Sequence, residues 1–380
     1  MLVAVAGGNL QGVEVAYLAR KAGWDVLVVD KNANAPASGM CHWFVQQDLC
    51  EDKHLGALFA KVDFLIPALE NDAALASLVR CAHTHDIPFA FDPAAYKISS
   101  SKQASDDLFA RAGIPIPLGW PHCHPPVIVK PSRASGSEDI TIFNDRASAG
   151  AFLEQAKGEW VAQAYVEGST YSLEVMGRNG DYFLPQVTDL HMDEQYDCRA
   201  VTTPSLLPAE QVTKLENISI EIAQLIDLNG LMDVEVVESN GALRVLEIDA
   251  RFPSQTPTAV YHSTGFNMVA ALGDLFMHGQ IPAVPDQGKA RGVVYEHIHV
   301  SGDILEFAGE HIMSSVGRLR RVPDFFEADE AITNYAEGRN DWVATLIITG
   351  KDRQKAIEKR SRVLGTIRSE FNLRGEIAEL

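Results

Sequence analysis

Two short apolar segments with regularly placed acidic residues constrain the fold of this 380-residue chain more than any other feature. Residues 232–238 and 243–249 are rich in branched apolar side chains, and Ser239-Asn240-Gly241 between them is typical of a hairpin turn. Because side chains alternate between the faces of a strand, residues two positions apart share one face. Such positions hold Asp233 and Glu235 in the first segment, and Glu247, Asp249 and Arg251 in the second. The pattern predicts paired strands with carboxylates gathered on their faces.

These carboxylates need a compensating partner. Acidic residues are poor strand formers, and four carboxylates on paired strands repel one another unless a cation lies between them. Magnesium binds one or two carboxylates together with nucleotide phosphates. The alternative is a solvated polar face of the sheet, but the flanking residues are strongly apolar. The pattern therefore favours a cation site that serves a phosphate ligand.

The chain begins with the alternation that is typical of a parallel α/β domain. Residues 2–6 and 24–30 are predicted to be buried strands, and the periodic apolar stretch 13–21 between them predicts a helix. Two further strands are predicted at 62–67 and 87–91. We therefore expect the first domain to end near Asp92-Pro93.

The glycine-rich turn at 7–12 matches the fingerprint of dinucleotide-binding proteins only in part. Asn9 stands where the second glycine of G-x-G-x-x-G is needed, while Asp30 is a candidate for the acid that contacts a ribose. Three hypotheses follow from the residues: a turn that packs a helix on a strand, an NAD site, or a contact to another small ligand.

A second small-residue segment follows a predicted strand at 127–130. Residues 131–138 are rich in serine and glycine, which permit close approach of backbone N–H groups to phosphate, and Lys130 supplies a point charge. The segment lacks the Walker pattern GxxxxGK[ST] and is followed by another predicted strand, 139–143. It is either a phosphate-binding loop or an ordinary hairpin.

Composition excludes several classes of partner. The formal net charge is −19, from 32 basic and 51 acidic residues, which argues against nucleic acid and anionic membranes. The five cysteines form no CxxC pair, and the apolar run at the N-terminus stops at Gly7. No window approaches 18 apolar residues. We expect a cytoplasmic, multi-domain enzyme with small-molecule substrates, and the oligomeric state stays open.

The order of these features resembles the ATP-grasp superfamily of carboxylate–amine ligases. The matching features are, in chain order, Lys102, the loop after Lys130, the segment Gln163–Gly168, Glu235 and the segment Glu247–Arg251. The resemblance implies an α/β ATP-grasp fold in three parts. These are a Rossmann-like pre-ATP domain at 1–98, a lead helix and mobile lid at 99–166, and an α+β catalytic domain at 167–380.

Longer matches narrow the resemblance to the ligase family of pyrrolysine biosynthesis. These matches are Phe91–Ser99, Tyr196–Cys198, Val201–Pro204 and, as the longest, Val245–Tyr261. The resemblance implies an ATP- and Mg²⁺-dependent ligase that joins the carboxylate of (3R)-3-methyl-D-ornithine to the ε-amine of L-lysine. An acyl phosphate would be the intermediate, and ADP and phosphate would be released.

The resemblance also implies roles in nucleotide and metal binding. Lys102 and Lys130 would hold the phosphates, and the loop residues closing over them would be Ser132, Ser135, Gly136 and Ser137. Adenine would meet the backbone of Gln163, Ala164, Tyr165 and Val166, and the ribose would meet Glu167. Magnesium would be held by Glu235, Glu247 and Asp249, with Asp233 as an alternative to Glu235. Many family members carry an acid in place of Gln163 and an asparagine in place of Asp249.

The remaining implied roles concern the amino-acid substrates and catalysis. Arg251 would face the acyl phosphate or the carboxylate, and Glu174 is a candidate acid/base or cation anchor. The other candidate substrate-binding residues are Gln11, Glu70, Asn71, Ser172, Asp233, Ser254, Thr256 and Thr258.

Three alternative functions differ in what they leave unexplained. An ATP-grasp ligase for another amino-acid pair would show ATP dependence with other diamino acids. An NAD-dependent amino-acid dehydrogenase would use the glycine turn and Asp30, but it leaves the Lys130 loop and the acids around Glu247 without a role. A non-catalytic nucleotide-binding module is disfavoured because Lys102, Lys130 and the acids are all present.

Overall fold

The alternating strands and helices at the start of the chain form a parallel sheet in the computed structural model, which describes residues 1–133, 139–281, 283, 285–374 and 377–380. The strand order is β3-β2-β1-β4, and all the pairs are parallel. The elements are β1 (Leu2–Ala6), α1 (Leu10–Lys21), β2 (Asp25–Asp30), β3 (Trp43–Gln46), α2 (Leu55–Phe59), β4 (Phe64–Pro67) and α3 (Asp72–His85). The predicted α/β opening is confirmed.

The strand that we predicted at 87–91 is wrong. Only a single parallel bridge joins Phe89 to Leu65. Pro88 has no N–H to donate to a ladder, and Asp92 already caps the next helix by accepting hydrogen bonds from Ala94 and Ala95. The segment is therefore too short to extend the sheet.

The glycine turn is used for packing. Gly7 has φ +112°, and a Cβ there would lie 2.2 Å from the carbonyl oxygen of Ala68. The N–H of Gly8 donates to Oδ2 of Asp30 at 2.7 Å, and the N–H of Asn32 donates to Oδ1 of the same side chain, also at 2.7 Å. Both carboxylate oxygens of Asp30 therefore accept hydrogen bonds from the protein backbone. A dinucleotide site would need this carboxylate for the ribose, so the contacts favour the hypothesis that the turn packs a helix on a strand.

Three helices and a three-stranded antiparallel sheet follow. They are α4 (Pro93–Ser99), α5 (Lys102–Ala112), β5 (Val127–Pro131), β6 (Thr141–Phe143), α6 (Arg146–Gln155) and β7 (Trp160–Ala164). The sheet has the order β6-β5-β7, and its own small core contains Val127, Val129 and Ala149. Helix α5 packs elsewhere, since Phe109 shares a core with Leu173 of the large sheet. The sequence segment 99–166 therefore contributes to two separate cores.

The large antiparallel sheet has eleven strands within the described residues. Its main path is β13-β12-β8-β10-β11-β14-β18-β17-β16, with β9 beside β8 and β15 beside β14. The strands are β8 (Ser169–Arg178), β9 (Asp181–Phe183), β10 (Thr188–Met192), β11 (Cys198–Thr203), β12 (Gly230–Ser239), β13 (Ala242–Asp249), β14 (Gly292–Ser301), β15 (Ile304–Phe307), β16 (Arg320–Pro323), β17 (Glu330–Thr333) and β18 (Asp341–Gly350). The helices are α7 (Ala209–Leu225), α8 (Thr256–Thr264), α9 (Met268–His278), α10 (His311–Ser314) and α11 (Arg353–Phe371).

The hairpin of β12 and β13 confirms the predicted turn, and a register shift between Glu235 and Val236 sets the pairing beyond it. Asn240 and Gly241 both have positive φ, 54° and 79°, as a two-residue hairpin turn requires. The register pairs Asp233 with Asp249 and Glu235 with Glu247, so all four acids lie on one face. On the other side of β12, β8 places Ser172 opposite Glu235 and Glu174 opposite Asp233. Six polar side chains are thus brought together by three adjacent strands.

The C-terminal helix α11 packs against β14 and β18 of the large sheet. It is anchored to the sheet by Arg360, whose guanidinium donates two hydrogen bonds of 2.6 Å to the fully buried carboxylate of Glu296 on β14. Over the part of the chain that the structure describes, no helix combines the length and the apolar character needed to cross a membrane.

A buried ionic contact ties α1 to the large sheet. The Glu330 carboxylate on β17 accepts hydrogen bonds from Lys21, from the Tyr17 hydroxyl at 2.8 Å and from Arg321. Burial alone would raise the pKa of Glu330, but these donors outweigh burial and hold the pKa at about 2. Ionic contacts as well as apolar packing therefore hold the N-terminal unit against the sheet.

We expect Glu330→Gln to lower the free energy of unfolding by about 2 kcal/mol at pH 7, because charge-assisted hydrogen bonds are lost. The folded-state pKa of Glu330 lies below its usual 4.5, so its stabilising contribution is complete above pH 4.5 and disappears as the pH falls toward 2. Urea denaturation at pH 7 and pH 3 measures both effects. If the difference in unfolding free energy between wild type and Glu330→Gln were as large at pH 3 as at pH 7, the result would contradict this account.

Candidate active site

A cleft of about 600 Å³ lies between the three-stranded sheet and the large sheet. One part is lined by the phosphate-binding and adenine-binding candidates, and the other by the segments around Asp197 and Arg251. Sequence candidates that line the cleft are Lys102, Lys130, Gln163, Ala164, Tyr165, Val166, Asp233, Glu235, Glu247, Asp249, Arg251, Ser254 and Thr256. The fold therefore gathers most of the predicted residues in one place.

Two lysines enter the cleft beside the acids. Nζ of Lys102 lies 2.9 Å from Oε2 of Glu247, and Nζ of Lys130 donates to the carbonyl oxygen of Leu246 at 3.2 Å. Burial lowers the pKa of Lys130. Burial acts in the same direction on Lys102, but the Glu247 carboxylate outweighs it, so the pKa of Lys102 is raised. Both cations are withdrawn from bulk water, which strengthens their attraction for phosphate.

The loop after Lys130 begins by positioning helix α5. The backbone N–H of Lys102 donates to the carbonyl oxygen of Ser132 at 2.9 Å, and the Ser132 hydroxyl lies 3.1 Å from that of Ser101, the N-cap. Ser132 is buried and holds the N-terminus of α5 beside the loop. Ser135, Gly136 and Ser137 lie outside the described residues.

The segment that we assigned to adenine lies where β7 leaves the three-stranded sheet. The N–H of Ala164 already donates to Leu118 and that of Tyr165 to Pro126, at 2.8 and 2.9 Å. These two N–H groups are therefore used within the protein, and contact of this segment with adenine stays a prediction. Tyr165 packs edge-on against Tyr196, with ring centroids 5.9 Å apart. Glu167 is exposed and does not line the cleft.

The four acids of the hairpin repel one another. Burial and the neighbouring Glu247 raise the pKa of Glu235 well above its usual range, and burial with Glu174 does the same to the pKa of Asp233. Burial raises the pKa of Asp249 to about 6 even though Arg251 opposes it. The pKa of Glu247 is lowered, because Lys102 and Lys130 outweigh burial. An all-oxygen donor set with this excess of negative charge fits a hard divalent cation.

Arg251 links the acids to the N-terminal unit. Its Nη2 lies 2.9 Å from Oδ2 of Asp249 and 3.0 Å from Oε1 of Glu70, and Gln11 donates to the same Glu70 oxygen at 2.9 Å. Its Nε has no hydrogen-bond partner in the described structure. Arg251 is thus fixed in place while one donor stays free for an anionic group.

A second cavity of about 310 Å³ lies on the other side of Lys102 and Asp249. Glu70 and Asn71 line it together with Tyr96. The Asn71 side chain also caps α3 by accepting a hydrogen bond from Ala74 at 2.9 Å. Its role in the helix is therefore clear, whereas a role in binding stays a prediction.

The inner end of the acidic face is closed. The Ser172 hydroxyl donates to Asp233, while Glu174 and Thr258 are fully buried and do not line the cleft. Burial raises the pKa of Glu174 to about 7. The N–H of Thr258 donates to Oε1 of Glu14 at 2.7 Å. The structure thus places Glu174 below the cleft, and its assignment as an acid/base stays a prediction.

Sequence reasoning missed Glu14 and Glu310. Glu14 is buried in the apolar run of α1, and burial raises its pKa to about 7. An acid within the run Val13–Ala19 was the available signal. Glu310 precedes α10, lines the cleft and accepts a hydrogen bond from Gln255 at 3.1 Å. No sequence pattern marked it, because only the sheet order brings it to the cleft.

Comparisons with known proteins identify a domain model and relatives that match this chain. Residues 99–255 match the ATP-grasp domain model. The 3-methyl-D-ornithine–L-lysine ligase of Methanosarcina mazei is 34% identical over 371 residues, covering 97% of this chain and 96% of the relative. The corresponding ligase of Methanosarcina barkeri is 35% identical, covering 97% and 98%.

Solved structures show the same fold at much lower identity. An ADP complex of N5-carboxyaminoimidazole ribonucleotide synthetase aligns with a TM-score of 0.73 at 13% identity, covering 98% of this chain and 97% of the other. The biotin carboxylase domain of a Hydrogenobacter thermophilus enzyme aligns with a TM-score of 0.72 at 15% identity, covering 96% and 89%. The ATP-grasp fold implied by the sequence is confirmed, and the chain belongs to the 3-methyl-D-ornithine–L-lysine ligase family of ATP-grasp ligases.

Proposed function

We propose that this ligase joins the carboxylate of (3R)-3-methyl-D-ornithine to the ε-amine of L-lysine in pyrrolysine biosynthesis. The observation that carries the proposal is the convergence of Lys102, Lys130, Arg251 and the acidic hairpin at one cleft. Full-length similarity to ligases named for these two substrates supports the choice of substrates. The free thiol of each cysteine supports a cytoplasmic location.

The proposed reaction has two steps, and each conserves atoms and charge. A carboxylate oxygen of methylornithine attacks the γ-phosphorus of ATP, and ADP leaves. The lysine ε-nitrogen then attacks the acyl carbon, phosphate leaves, and the amine releases a proton. The protein contributes positioning and charge neutralisation, because the phosphoryl group carries its charge on its outer oxygens during transfer.

The described residues divide this work. Lys130 and Lys102 bind phosphate oxygens, and Lys102 exchanges its contact with Glu247 for the nucleotide. Arg251 directs its free Nε to the substrate carboxylate or acyl phosphate. Mg²⁺ would be held by Glu235, Glu247 and Asp249, and when bound it would neutralise nucleotide phosphate charge.

The remaining assignments follow the same plan. With domain boundaries at 98 and 166, residues 99–166 would carry the lid, and Ser132 with the residues after it would cover the phosphates. Residues 163–166 would contact adenine, and Glu167 the ribose. The substrate amino acids would meet Gln11, Glu70, Asn71, Asp233, Ser254 and Thr256, and the buried Ser172 and Thr258 would support this site from beneath the cleft.

The attacking amine sets a further requirement. A free lysine ε-ammonium has a pKa of about 10.4, so producing the neutral amine at pH 7 costs roughly 4–5 kcal/mol. A cleft withdrawn from water favours the neutral form of an amine. Glu174, buried beneath the cleft, is the candidate group for receiving the proton.

The product test uses L-lysine, 3-methyl-D-ornithine, ATP and Mg²⁺ with mass spectrometry. We expect an amide in which the lysine ε-nitrogen carries the ornithine acyl group, formed with one ADP per amide. Reactions without ATP, and with L-ornithine in place of the D-isomer, are the controls. If amide formed only with another diamino-acid pair, the proposed substrates would be wrong. If the protein turned over NAD without ATP, the proposed reaction class would be wrong.

A further inference from the structure

The segment that leads from β13 to α8 makes an unusual turn at the wall of the cleft. Gln255 has φ +70° and ψ −62°, and the N–H of Thr256 donates to the carbonyl oxygen of Ser254 at 2.9 Å. These values define a γ-turn of the positive-φ type, which is rare and strained for a residue with a side chain. Pro253, Ser254, Gln255 and Thr256 all line the cleft. The shape of this wall therefore depends on the contacts that hold the turn in place.

The large sheet holds only the side chain of this turn. Nε2 of Gln255 donates to the carbonyl oxygen of Cys198 at 3.3 Å and to Oε2 of Glu310 at 3.1 Å. Helix α8 begins directly after the turn, at Thr256, and the side chain of its N-cap residue, Gln255, makes no capping hydrogen bond. Because the first N–H groups of a helix have no acceptor within the helix, they need one from elsewhere. The backbone beyond the turn thus requires a partner from another element.

Glu14 of α1 is that partner, and it belongs to the N-terminal unit. Its Oε1 accepts a hydrogen bond from the N–H of Thr258, in the first turn of α8, at 2.7 Å. A carboxylate in this position satisfies a backbone donor and meets the positive end of the helix dipole. Glu14 is 1% exposed and is not among the residues that line the cleft. Any effect of Glu14 on a ligand must therefore pass through α8 and the turn before it.

We infer that Glu14 is a positioning residue: it caps α8 from the N-terminal unit and so holds residues 253–256 in the shape that receives an amino-acid substrate. The inference rests on the proposed function for its choice of ligand. Gln11 lies three residues before Glu14 on α1, so the two side chains share one face of the helix. Gln11 donates to Glu70, which contacts Arg251. One face of α1 thus supports two separate parts of the cleft wall.

The kinetic test compares Glu14→Met and Glu14→Gln with the control Glu330→Gln, which loosens the same helix through Tyr17 and Lys21 rather than through α8. Glu14→Met keeps the length of the side chain but removes both acceptor oxygens, whereas Glu14→Gln keeps one. We expect Glu14→Met to raise KM for at least one amino-acid substrate about 3- to 30-fold, the factor that corresponds to the loss of a helix cap, with KM for ATP unchanged. Glu14→Gln should remain within about threefold of wild type, and Glu330→Gln should leave all KM values unchanged. Should Glu14→Met fail to fold, Glu14→Asp, which withdraws the carboxylate by one methylene group, should give the same pattern.

Hydrogen exchange gives a second measurement, which needs no substrate. In the unligated protein, the backbone amides of residues 254–260 should exchange faster in Glu14→Met than in wild type or Glu330→Gln, because the first turn of α8 opens more easily without its cap. Exchange equal to that of wild type would overturn the capping role. Faster exchange with unchanged KM for both amino acids would overturn the positioning role. If the exchange result holds but wild type forms no amide, the proposed function fails while the cap stands.

Discussion

Replacing Lys130 with alanine is expected to reduce kcat/KM for ATP in amide formation by about 10²–10³-fold, the usual effect of removing one preorganised electrostatic contact at a transferred group. Lys130 is 8% exposed, and Nζ contacts only a backbone carbonyl among its described hydrogen bonds. The Glu247 carboxylate compensates only part of the cost of withdrawing the ammonium group from water, so phosphate binding recovers the rest of that desolvation free energy. ADP release and amide formation, measured together, check the result.

Two further variants separate the loss of charge from a loss of folding. Lys130→Met keeps most of the apolar stem, so it should melt near the wild-type temperature while losing activity as Lys130→Ala does. Lys157→Ala removes an exposed lysine near the same small sheet and should leave both activity and melting unchanged. Full turnover by Lys130→Met would remove Lys130 from the phosphate-binding residues.

Replacing Glu247 with glutamine is expected to raise the Mg²⁺ concentration for half-maximal activity at least tenfold. Among the four acids of the hairpin, Glu247 is the one whose pKa is lowered, because Lys102 and Lys130 stabilise its charge. It therefore remains ionised at neutral pH, as a cation ligand must. The amide of glutamine keeps one oxygen but removes the negative charge. This loss weakens the binding of a hard cation more than it would weaken a hydrogen bond.

The apparent Mg²⁺ requirement at fixed, saturating ATP is the measurement. The variant should reach at least part of the wild-type rate at high Mg²⁺, since Glu235 and Asp249 stay in place. Glu154→Gln, on the exposed face of α6, is the matched control and should titrate like wild type. The same Mg²⁺ titration for wild type and Glu247→Gln would show that Glu247 serves only as the partner of Lys102.

Local patterns predicted those parts of the site that depend on neighbours in the chain. The turn at Asn240-Gly241 was predicted from adjacent residues and sets the pairing of the strands next to it. The pairing of Glu235 with Glu247 also depends on a register shift between Glu235 and Val236, which no local pattern marked. Lys102 and Lys130 were found through the family resemblance, because a lysine in a helix or a strand is not distinctive alone. Local reasoning failed at 87–91, where a proline and a helix cap override apolar composition.

Contacts between distant segments escaped prediction for a physical reason. Glu310 reaches the cleft because β14 lies beside β11 in the sheet, and nothing local encodes that neighbourhood. Similarly, Glu174 faces Asp233 across β8 and β12, and its burial follows from the packing of α8 and α1 above that face. Such positions are set by the sheet order, which depends on the summed packing of many residues.

The two ties between the N-terminal unit and the large sheet have a consequence for protein engineering. Glu70 meets Arg251 at the cleft, and Lys21 and Tyr17 meet Glu330 at the far edge of the same sheet. A chimera that takes its first 92 residues from a relative must therefore preserve matching partners at both edges. If only one match is kept, the graft would leave either Arg251 with Asp249 as its remaining ionic partner or the Glu330 carboxylate with Arg321 as its remaining ionic partner among the described residues.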